Sequence, residues 1–107
     1  GASSAISTVL VRRRDGARTF VFSPGSCREL AGEDVDEAFV SRAKFLHLNG
    51  RLLGACFEAA KMARDHGVKV SFDGGAGRYR PQLDGLMALV DICIVARPFA
   101  FAFAGGE

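Results

Sequence analysis

The chain has 107 residues, 49% of them hydrophobic, and a formal net charge of +2. This length allows one domain with a single core, and the composition excludes a chain that is disordered for lack of apolar residues. The small net charge gives no reason to expect a nucleic-acid or membrane partner. No apolar run is long enough to span a bilayer, because residues 86–96 are interrupted by Asp91.

Neither the N-terminus nor the cysteines indicate secretion. The first residues contain no basic segment followed by an apolar one, and residues 1–4 could be a remnant of expression. Cys27, Cys56 and Cys93 are odd in number and widely spaced, which favours reduced core residues over disulfides or a metal site. The sequence therefore predicts a single domain over residues 1–107, in the cytoplasm and without a metal.

The N-terminal part has the pattern of a β-hairpin. Two β-rich runs, residues 6–13 and 18–23, are separated by turn residues that include Asp15-Gly16. Phe20 and Phe22 fall on one face of the second run. The arginines near the tip are more typical of a solvated hairpin end than of a nucleic-acid surface, since no aromatic residue lies among them for base stacking.

The central part predicts two strands joined by a helix. Residues 45–48 and 68–72 are β-type runs, and residues 51–66 between them have an apolar stripe at helical spacing. A crossover of this length makes the strands parallel. Gly67 is suited to end the helix, and Gly54 predicts a close approach of the helix to the sheet.

Further elements flank this unit. Short helices are predicted over residues 33–40 and 82–89, with Val35, Ala38 and Phe39 facing inward in the first. Residues 90–95 predict a buried strand, and Pro98 is suited to open a last helix. The predicted fold class is α/β, with a parallel sheet, helices and an N-terminal β-hairpin.

Ligands of open parallel sheets bind beyond the carboxyl ends of the strands. Asn49 and Gly50 follow the first central strand and Asp73 follows the second, so these three residues are the predicted substrate-binding set. Asp73 could contact a substrate hydroxyl or a metal, or cap the loop. His47, within an apolar strand, is more typical of a hydrogen-bonded core residue than of a catalytic base.

The glycine-rich loop after Asp73 is the predicted phosphate site. Its backbone amides and guanidinium groups could hold phosphate, and the residues concerned are Gly74, Gly75, Arg78 and Arg80. The loop matches neither the dinucleotide-binding glycine pattern nor the P-loop. The alternative is a flexible connector with exposed arginines.

The order of these pieces resembles the middle of a ribokinase-like (PfkB) carbohydrate kinase. The matching segments are the hairpin around Asp15-Gly16 and residues 19–26, 30–35, 45–50, 68–73 and 90–95. The resemblance implies a three-layer α/β fold and transfer of a phosphoryl group from ATP, with Mg²⁺, to a sugar hydroxyl. It also implies that the hairpin lies near the lid over the sugar, and that Asn49 and Asp73 face the cleft.

Two departures from that family bear on activity. The family's catalytic aspartate belongs to a Gly-Ala-Gly-Asp motif, but here Gly75-Ala76-Gly77 is followed by Arg78 and precedes the last strand. The family's Asn-x-x-Glu motif would run from Ala96 to Phe99 and lacks both polar residues. The resemblance thus predicts a central fragment with no catalytic residue, no tight binding of ATP or Mg²⁺ and no activity on its own.

Other hypotheses remain open at this stage. A stand-alone interaction or small-ligand module could reuse the α/β scaffold without catalysis. A Rossmann-type nucleotide binder would depend on the loop from Gly74 to Gly77 alone. A sheet that is one part of a kinase core has exposed edges and apolar faces, which predicts a homodimer through the hairpin, the Phe-rich segment 99–103, or both.

Overall fold

The computed structural model describes residues 1–106, which form a two-stranded hairpin, a three-stranded sheet and four α-helices. The hairpin strands are β1 (Ile6–Val11) and β2 (Arg18–Ser23). The sheet strands are β3 (Phe45–Leu48), β4 (Lys69–Gly74) and β5 (Ile92–Val95). The helices are α1 (Glu37–Val40), α2 (Leu53–Asp65), α3 (Asp84–Met87) and α4 (Arg97–Phe103). The predicted fold class is confirmed.

The hairpin forms around Asp15-Gly16, as the sequence predicts. β1 and β2 pair antiparallel from Ile6 opposite Ser23 to Val11 opposite Arg18. The Asp15 carboxylate accepts a hydrogen bond from the Ala17 amide at 3.1 Å, and Gly16 takes a φ of +70°. Backbone and side-chain bonds between Ser3 and Ser26 close the other end, so the first residues take part in the fold.

The central unit is a parallel βαβ crossover, and β4 lies in the middle of the sheet between β3 and β5. β5 begins at Ile92, two residues later than predicted, because the Asp91 carboxylate binds to β4 at this point in place of a strand pairing. The carboxylate accepts bonds from the Val70 amide at 2.9 Å and the Lys69 ammonium at 3.0 Å. Both bonds lower the pKa of Asp91, the Val70 amide most.

One face of the sheet carries the core. Val70 and Phe72 of β4 are fully buried there, together with the predicted α2 stripe and three residues from the C-terminal half. The buried α2 residues are Ala55, Cys56, Ala59, Ala60 and Ala63, and the others are Leu83, Leu86 and Phe99. Gly67 ends α2 with a φ of +70°, as predicted. Gly54, in contrast, is exposed with open space around it, so its predicted role in a close approach of the helix to the sheet is wrong.

The opposite face of the sheet is exposed. The strand register places Phe45, His47, Ser71, Asp73 and Ile94 on this side. Phe45 is 59% exposed and Ile94 is 63% exposed. The prediction that the last strand is buried is therefore wrong, because β5 is an edge strand with one open face.

The histidine and cysteine predictions have mixed outcomes. His47 is hydrogen-bonded as expected, with Nδ1 2.9 Å from the Ser71 hydroxyl oxygen, but it is exposed. All three cysteines are free thiols, and Cys56 alone belongs to the core. Cys27 and Cys93 are exposed, so their assignment to the core is wrong, the latter because it lies on the edge strand β5.

The helix predicted over residues 33–40 is divided in two. A 3-10 turn, Gly32–Asp34, is followed by α1, and the Asp36 carboxylate caps α1 by accepting from the Phe39 amide at 3.2 Å. This restart rotates the inward face of the helix. Val40 is buried, whereas Ala38 and Phe39 are exposed, the latter by 73%, which contradicts their predicted orientation.

The Arg28–Asp34 pair holds the preceding turn. Two guanidinium nitrogens of Arg28 donate to the two Asp34 oxygens, each at 2.7 Å, and the Ala31 amide donates to the same carboxylate at 2.8 Å. The arginine bonds, followed by the Ala31 amide, lower the pKa of Asp34 to about 2.

The C-terminal elements largely follow the predictions. A 3-10 turn, Pro81–Leu83, leads into α3 within the predicted range. Pro98 lies in the first turn of α4. Phe99 is buried at 1% exposure, while Phe101 and Phe103 are 48% and 45% exposed.

Candidate functional site

A cleft of about 540 Å³ lies between the hairpin, the end of β3 and the loop after β4. Four of the seven predicted site residues line it. These are Asn49, Gly50, Arg78 and Arg80, and the other lining residues are Ser7, Phe20, Phe22, Arg51, Gly77 and Tyr79. The carboxyl ends of the strands are therefore where the cleft forms, as expected for an open parallel sheet.

The first wall of the cleft is the β3–α2 corner, formed by Asn49, Gly50 and Arg51. The Asn49 side-chain oxygen accepts a hydrogen bond from the Arg51 amide at 3.0 Å, which is an Asx turn. Gly50 has a φ of +67° and is buried. A Cβ atom there would lie 2.7 Å from Leu83 Cδ2 and 3.0 Å from the Phe72 ring, so only glycine fits this corner without strain.

The corner contacts the hairpin through Arg51. Its guanidinium carbon lies 5.2 Å from the centroid of the Phe22 ring, within cation–π range. Arg51 is not among the predicted site residues, because the helical pattern of residues 51–66 indicates only that it begins the helix. Its position in the sequence could have identified it, since Arg51 directly follows Asn49-Gly50 at the carboxyl end of a predicted strand.

The second wall is formed by residues 77–80 of the loop after β4, which Tyr79 holds in place. The Tyr79 hydroxyl donates to the Asp84 carboxylate at 3.0 Å. Its ring meets Phe99 and Phe103 edge-on, with centroid distances of 5.6 and 6.0 Å. Partial burial, followed by the bond to Asp84, raises the pKa of the Tyr79 phenol. These contacts give the loop a defined place beside the cleft.

The two arginines on either side of Tyr79 line the cleft, and both are exposed as predicted. Arg80 donates from Nη2 to the Gly50 carbonyl oxygen at 2.8 Å, which joins the two walls of the cleft. The Arg78 side chain lies over Gly75, where a Cβ atom would be 3.2 Å from Arg78 Cδ. Gly75 thus makes room for Arg78 and is half-buried beneath it.

Asp73, Gly74 and Gly75 do not line the cleft. Asp73 is exposed at the carboxyl end of β4, opposite Ile94 and on the open face of the sheet. Gly74 is buried, and a Cβ atom there would lie 2.8 Å from the Phe99 ring. Its carbonyl oxygen accepts from the Ala96 amide at 2.8 Å, so Gly74 also joins β4 to the residue that precedes α4.

The lining of the cleft is positively charged. It contains three arginines, Arg51, Arg78 and Arg80, and no aspartate or glutamate. Within residues 1–106, none of these arginines has a carboxylate oxygen within 4.0 Å, although five other basic side chains besides a histidine form such pairs. The cleft is therefore suited to a ligand that brings negative charge or hydrogen-bond acceptors.

Residues 1–106 contain no group of three His, Cys, Asp or Glu side chains placed to hold a metal ion. In the same part of the chain, no helix has both the length and the apolar character required to cross a membrane.

No family model and no curated protein matches this chain. Solved structures do match. An adenosine kinase from Sinorhizobium meliloti superposes with a TM-score of 0.81 at 29% identity, over all of this chain and 36% of its own length. A protein assigned as a ribokinase from Agrobacterium tumefaciens gives 0.71 at 24% identity, over all of this chain and 34% of its own.

A PfkB protein from a Polaromonas species gives a TM-score of 0.67 at 18% identity, over 92% of this chain and 40% of its own. The chain thus spans between one third and two fifths of the length of these proteins. The matches confirm the resemblance predicted from the sequence.

Proposed function

Because the chain has the fold of one section of the ribokinase-like (PfkB) carbohydrate kinases, we propose that it forms the substrate-binding section of an ATP-dependent kinase. The observation that carries this proposal is the cleft between the hairpin and the β3–α2 corner. In the proposal the hairpin covers a sugar or related small polar molecule. Asn49 and Gly50 contact the molecule inside the cleft, and Asp73 contacts a hydroxyl from the same edge of the sheet.

The arginines supply what phosphoryl transfer requires of a scaffold, namely positioning and neutralisation of charge. We assign contact with phosphate to Arg78 and Arg80. Gly74, which is buried, and Gly75, which lies beneath Arg78, shape the loop but lie outside the cleft lining. Mg²⁺ takes oxygen ligands, largely carboxylates and water. The cleft lining offers no carboxylate, so these residues do not fit Mg²⁺, and the proposal assigns this chain neither the metal nor tight binding of ATP.

The chain on its own is not expected to transfer phosphate. The family's Gly-Ala-Gly-Asp motif is absent: the similar run Gly75-Ala76-Gly77 lies earlier in the chain, before the last strand, and ends in Arg78, whose guanidinium cannot accept a proton at neutral pH. A general base contributes about 10²–10⁴-fold to a rate. A coupled ADP-release assay over a panel of sugars should therefore show no turnover. Turnover at ordinary kinase rates that Asp73→Ala abolishes would contradict this expectation.

Ligand binding can be followed with the chain's own fluorescence. Tyr79 is the single tyrosine, there is no tryptophan, and Tyr79 lines the cleft. We expect a saturable change in Tyr79 emission when a cognate sugar is added. Adenosine, which absorbs in the same range, is tested by titration calorimetry instead.

The variant Asn49→Asp tests the role of the corner. It keeps the oxygen that accepts from the Arg51 amide but removes the side-chain amide donor that the proposal assigns to the ligand. Loss of one hydrogen bond should weaken binding by about three- to tenfold. Gln82→Glu makes the same chemical change at an exposed position outside the cleft and should leave affinity unchanged. A panel with no saturable ligand would contradict the proposal and favour a stand-alone interaction module.

We further propose a homodimer, since the hairpin surface that faces away from the cleft is apolar. Ile6, Leu10 and Val21 share that face and are 64%, 55% and 57% exposed. Patches of this kind are often covered by a partner, and a symmetric pair would cover both copies. Size exclusion with light scattering should give about twice the 11.4 kDa chain mass.

Two variants locate the dimer interface. Val21→Glu should produce monomers if the hairpin carries the contact, and Phe101→Glu should do so if the C-terminal Phe segment carries it. A single wild-type species at the chain mass would contradict the dimer.

We also propose a cytoplasmic location, and the free state of all three cysteines is consistent with it.

A further inference from the structure

The three arginines of the cleft are positioned by neutral groups. Arg51 lies against the Phe22 ring at 5.2 Å, Arg80 donates to the Gly50 carbonyl at 2.8 Å, and Arg78 lies along Gly75. An aromatic ring or a carbonyl oxygen orients a guanidinium without cancelling its charge. The cleft thus gathers three positive charges, two of them oriented by direct contacts. Within residues 1–106 none of the three has a carboxylate oxygen within 4.0 Å.

Other arginines of this chain are treated differently. Arg28 forms a two-pronged pair with Asp34, with both nitrogen–oxygen distances at 2.7 Å. Arg12 pairs with Asp15 at the hairpin tip in the same manner. Asp84, four residues after Arg80, accepts a bond from the Tyr79 hydroxyl. Asp73, two residues before Gly75, is exposed on the open face of the sheet and does not line the cleft. Carboxylates are therefore available in the chain but are placed away from the cleft lining.

A neutral sugar would leave this concentration of charge uncompensated. Planar guanidinium groups bind carboxylate and phosphate oxygens in matched pairs of hydrogen bonds, which a hydroxyl cannot reproduce. The proposed function assigns two of the three arginines, Arg78 and Arg80, to the transferred phosphate, which leaves one without a role. The remaining one, Arg51, lies on the hairpin side of the cleft through its contact with Phe22.

We propose that the substrate held in this cleft carries its own oxyanion, as a sugar phosphate or a sugar acid does, and that Arg51 is a specificity-determining residue for it. This inference rests on the proposed function, because it names the class of small polar molecule that the cleft accepts. Arg51, Arg78 and Arg80 together surround the anionic ligand, and the exposed faces of Phe20 and Phe22 contact its carbon skeleton.

The test compares four probes on the 107-residue chain. Ribose, ribose 5-phosphate and ribonate are titrated by Tyr79 emission, and MgATP by calorimetry. Ribose 5-phosphate or ribonate should bind at least tenfold more tightly than ribose, because a hydrogen bond to a charged group is worth roughly ten- to a hundredfold in affinity. The stronger of these two ligands identifies the anion as phosphate or carboxylate. Higher salt should weaken the binding of both, while that of ribose should change little.

Charge-removing variants assign the effect to the cleft. Arg51→Gln should weaken binding of the anionic sugar at least tenfold and leave that of ribose nearly unchanged. If Arg51→Gln folds poorly, Arg78→Gln removes a positive charge from the second wall of the cleft instead, and the same two affinities are compared. Arg13→Gln removes one positive charge from an exposed residue outside the cleft lining and should have no such effect.

The outcomes separate the inference from the proposed function. Ribose binding as tightly as ribose 5-phosphate and ribonate would overturn the inference and leave the proposed function standing. No binding of any sugar or of MgATP would overturn both. Tighter binding of MgATP than of any sugar derivative, lost equally in Arg51→Gln, would assign all three arginines to the nucleotide and also overturn the inference.

Discussion

Replacement of Gly50 by alanine tests the geometry of the β3–α2 corner most directly. The backbone of Gly50 has a φ of +67°, a left-handed conformation that costs about 1–2 kcal/mol for a residue with a Cβ atom. The added Cβ atom would also lie 2.7 Å from Leu83 Cδ2 and 3.0 Å from the Phe72 ring, both buried side chains. Overpacking of a core typically costs about 1–3 kcal/mol.

The two effects together predict a loss of about 2–5 kcal/mol in the free energy of unfolding. This is a large fraction of the roughly 5–15 kcal/mol that holds a typical domain folded. Urea unfolding followed by circular dichroism measures the loss, provided the slope of the transition is unchanged. Because the Gly50 carbonyl oxygen holds Arg80, Tyr79 emission in the cleft should change as well.

Gly16→Ala is the matched control. Gly16 has nearly the same φ, +70°, but a Cβ atom there meets nothing within 4 Å. Its loss should therefore be confined to the backbone cost of about 1–2 kcal/mol, and the difference between the variants measures the contacts with Leu83 and Phe72. Equal losses for the two variants would refute the close packing described for the corner.

Further predictions concern the aromatic cluster and the acid limit of stability. Phe99→Ala should cost about 3–5 kcal/mol of unfolding free energy, whereas Phe101→Ala, at a position 48% exposed, should cost at most about 1 kcal/mol, by the same urea measurement. Tyr79→Phe keeps the ring and loses the bond to Asp84, so it should cost less than Tyr79→Ala; the reverse order would contradict the packing of the loop. The pKa of Asp34 falls from 3.8 to about 2 on folding, so its stabilisation is complete above pH 3.8 and is lost as the pH falls through about 2. Asp34→Asn should be less stable at neutral pH and should show a smaller decline in unfolding midpoint over that acid range, and an unchanged decline would contradict the role of the Arg28 pair.

Local sequence patterns determined much of the fold and part of the site. Asp15-Gly16 between two β-rich runs specifies the hairpin, because few backbone conformations can join such strands. The apolar period of residues 51–66 specifies the crossover helix, and its direction follows from the handedness of parallel connections. From that topology alone, Asn49, Gly50, Arg78 and Arg80 could be placed at one edge of the sheet, and the cleft contains all four.

Tertiary contacts decided the rest, since they join residues that are distant in the chain. Arg51 belongs to the site only because the hairpin brings Phe22 within 5.2 Å of its guanidinium group. Gly74 has the composition of a phosphate loop, yet it is buried because Phe99 of α4 packs against it. Neither relation has a local signal: a strand, a turn or a helix can be deduced from neighbouring residues, but which side chain faces a cleft depends on how those elements pack.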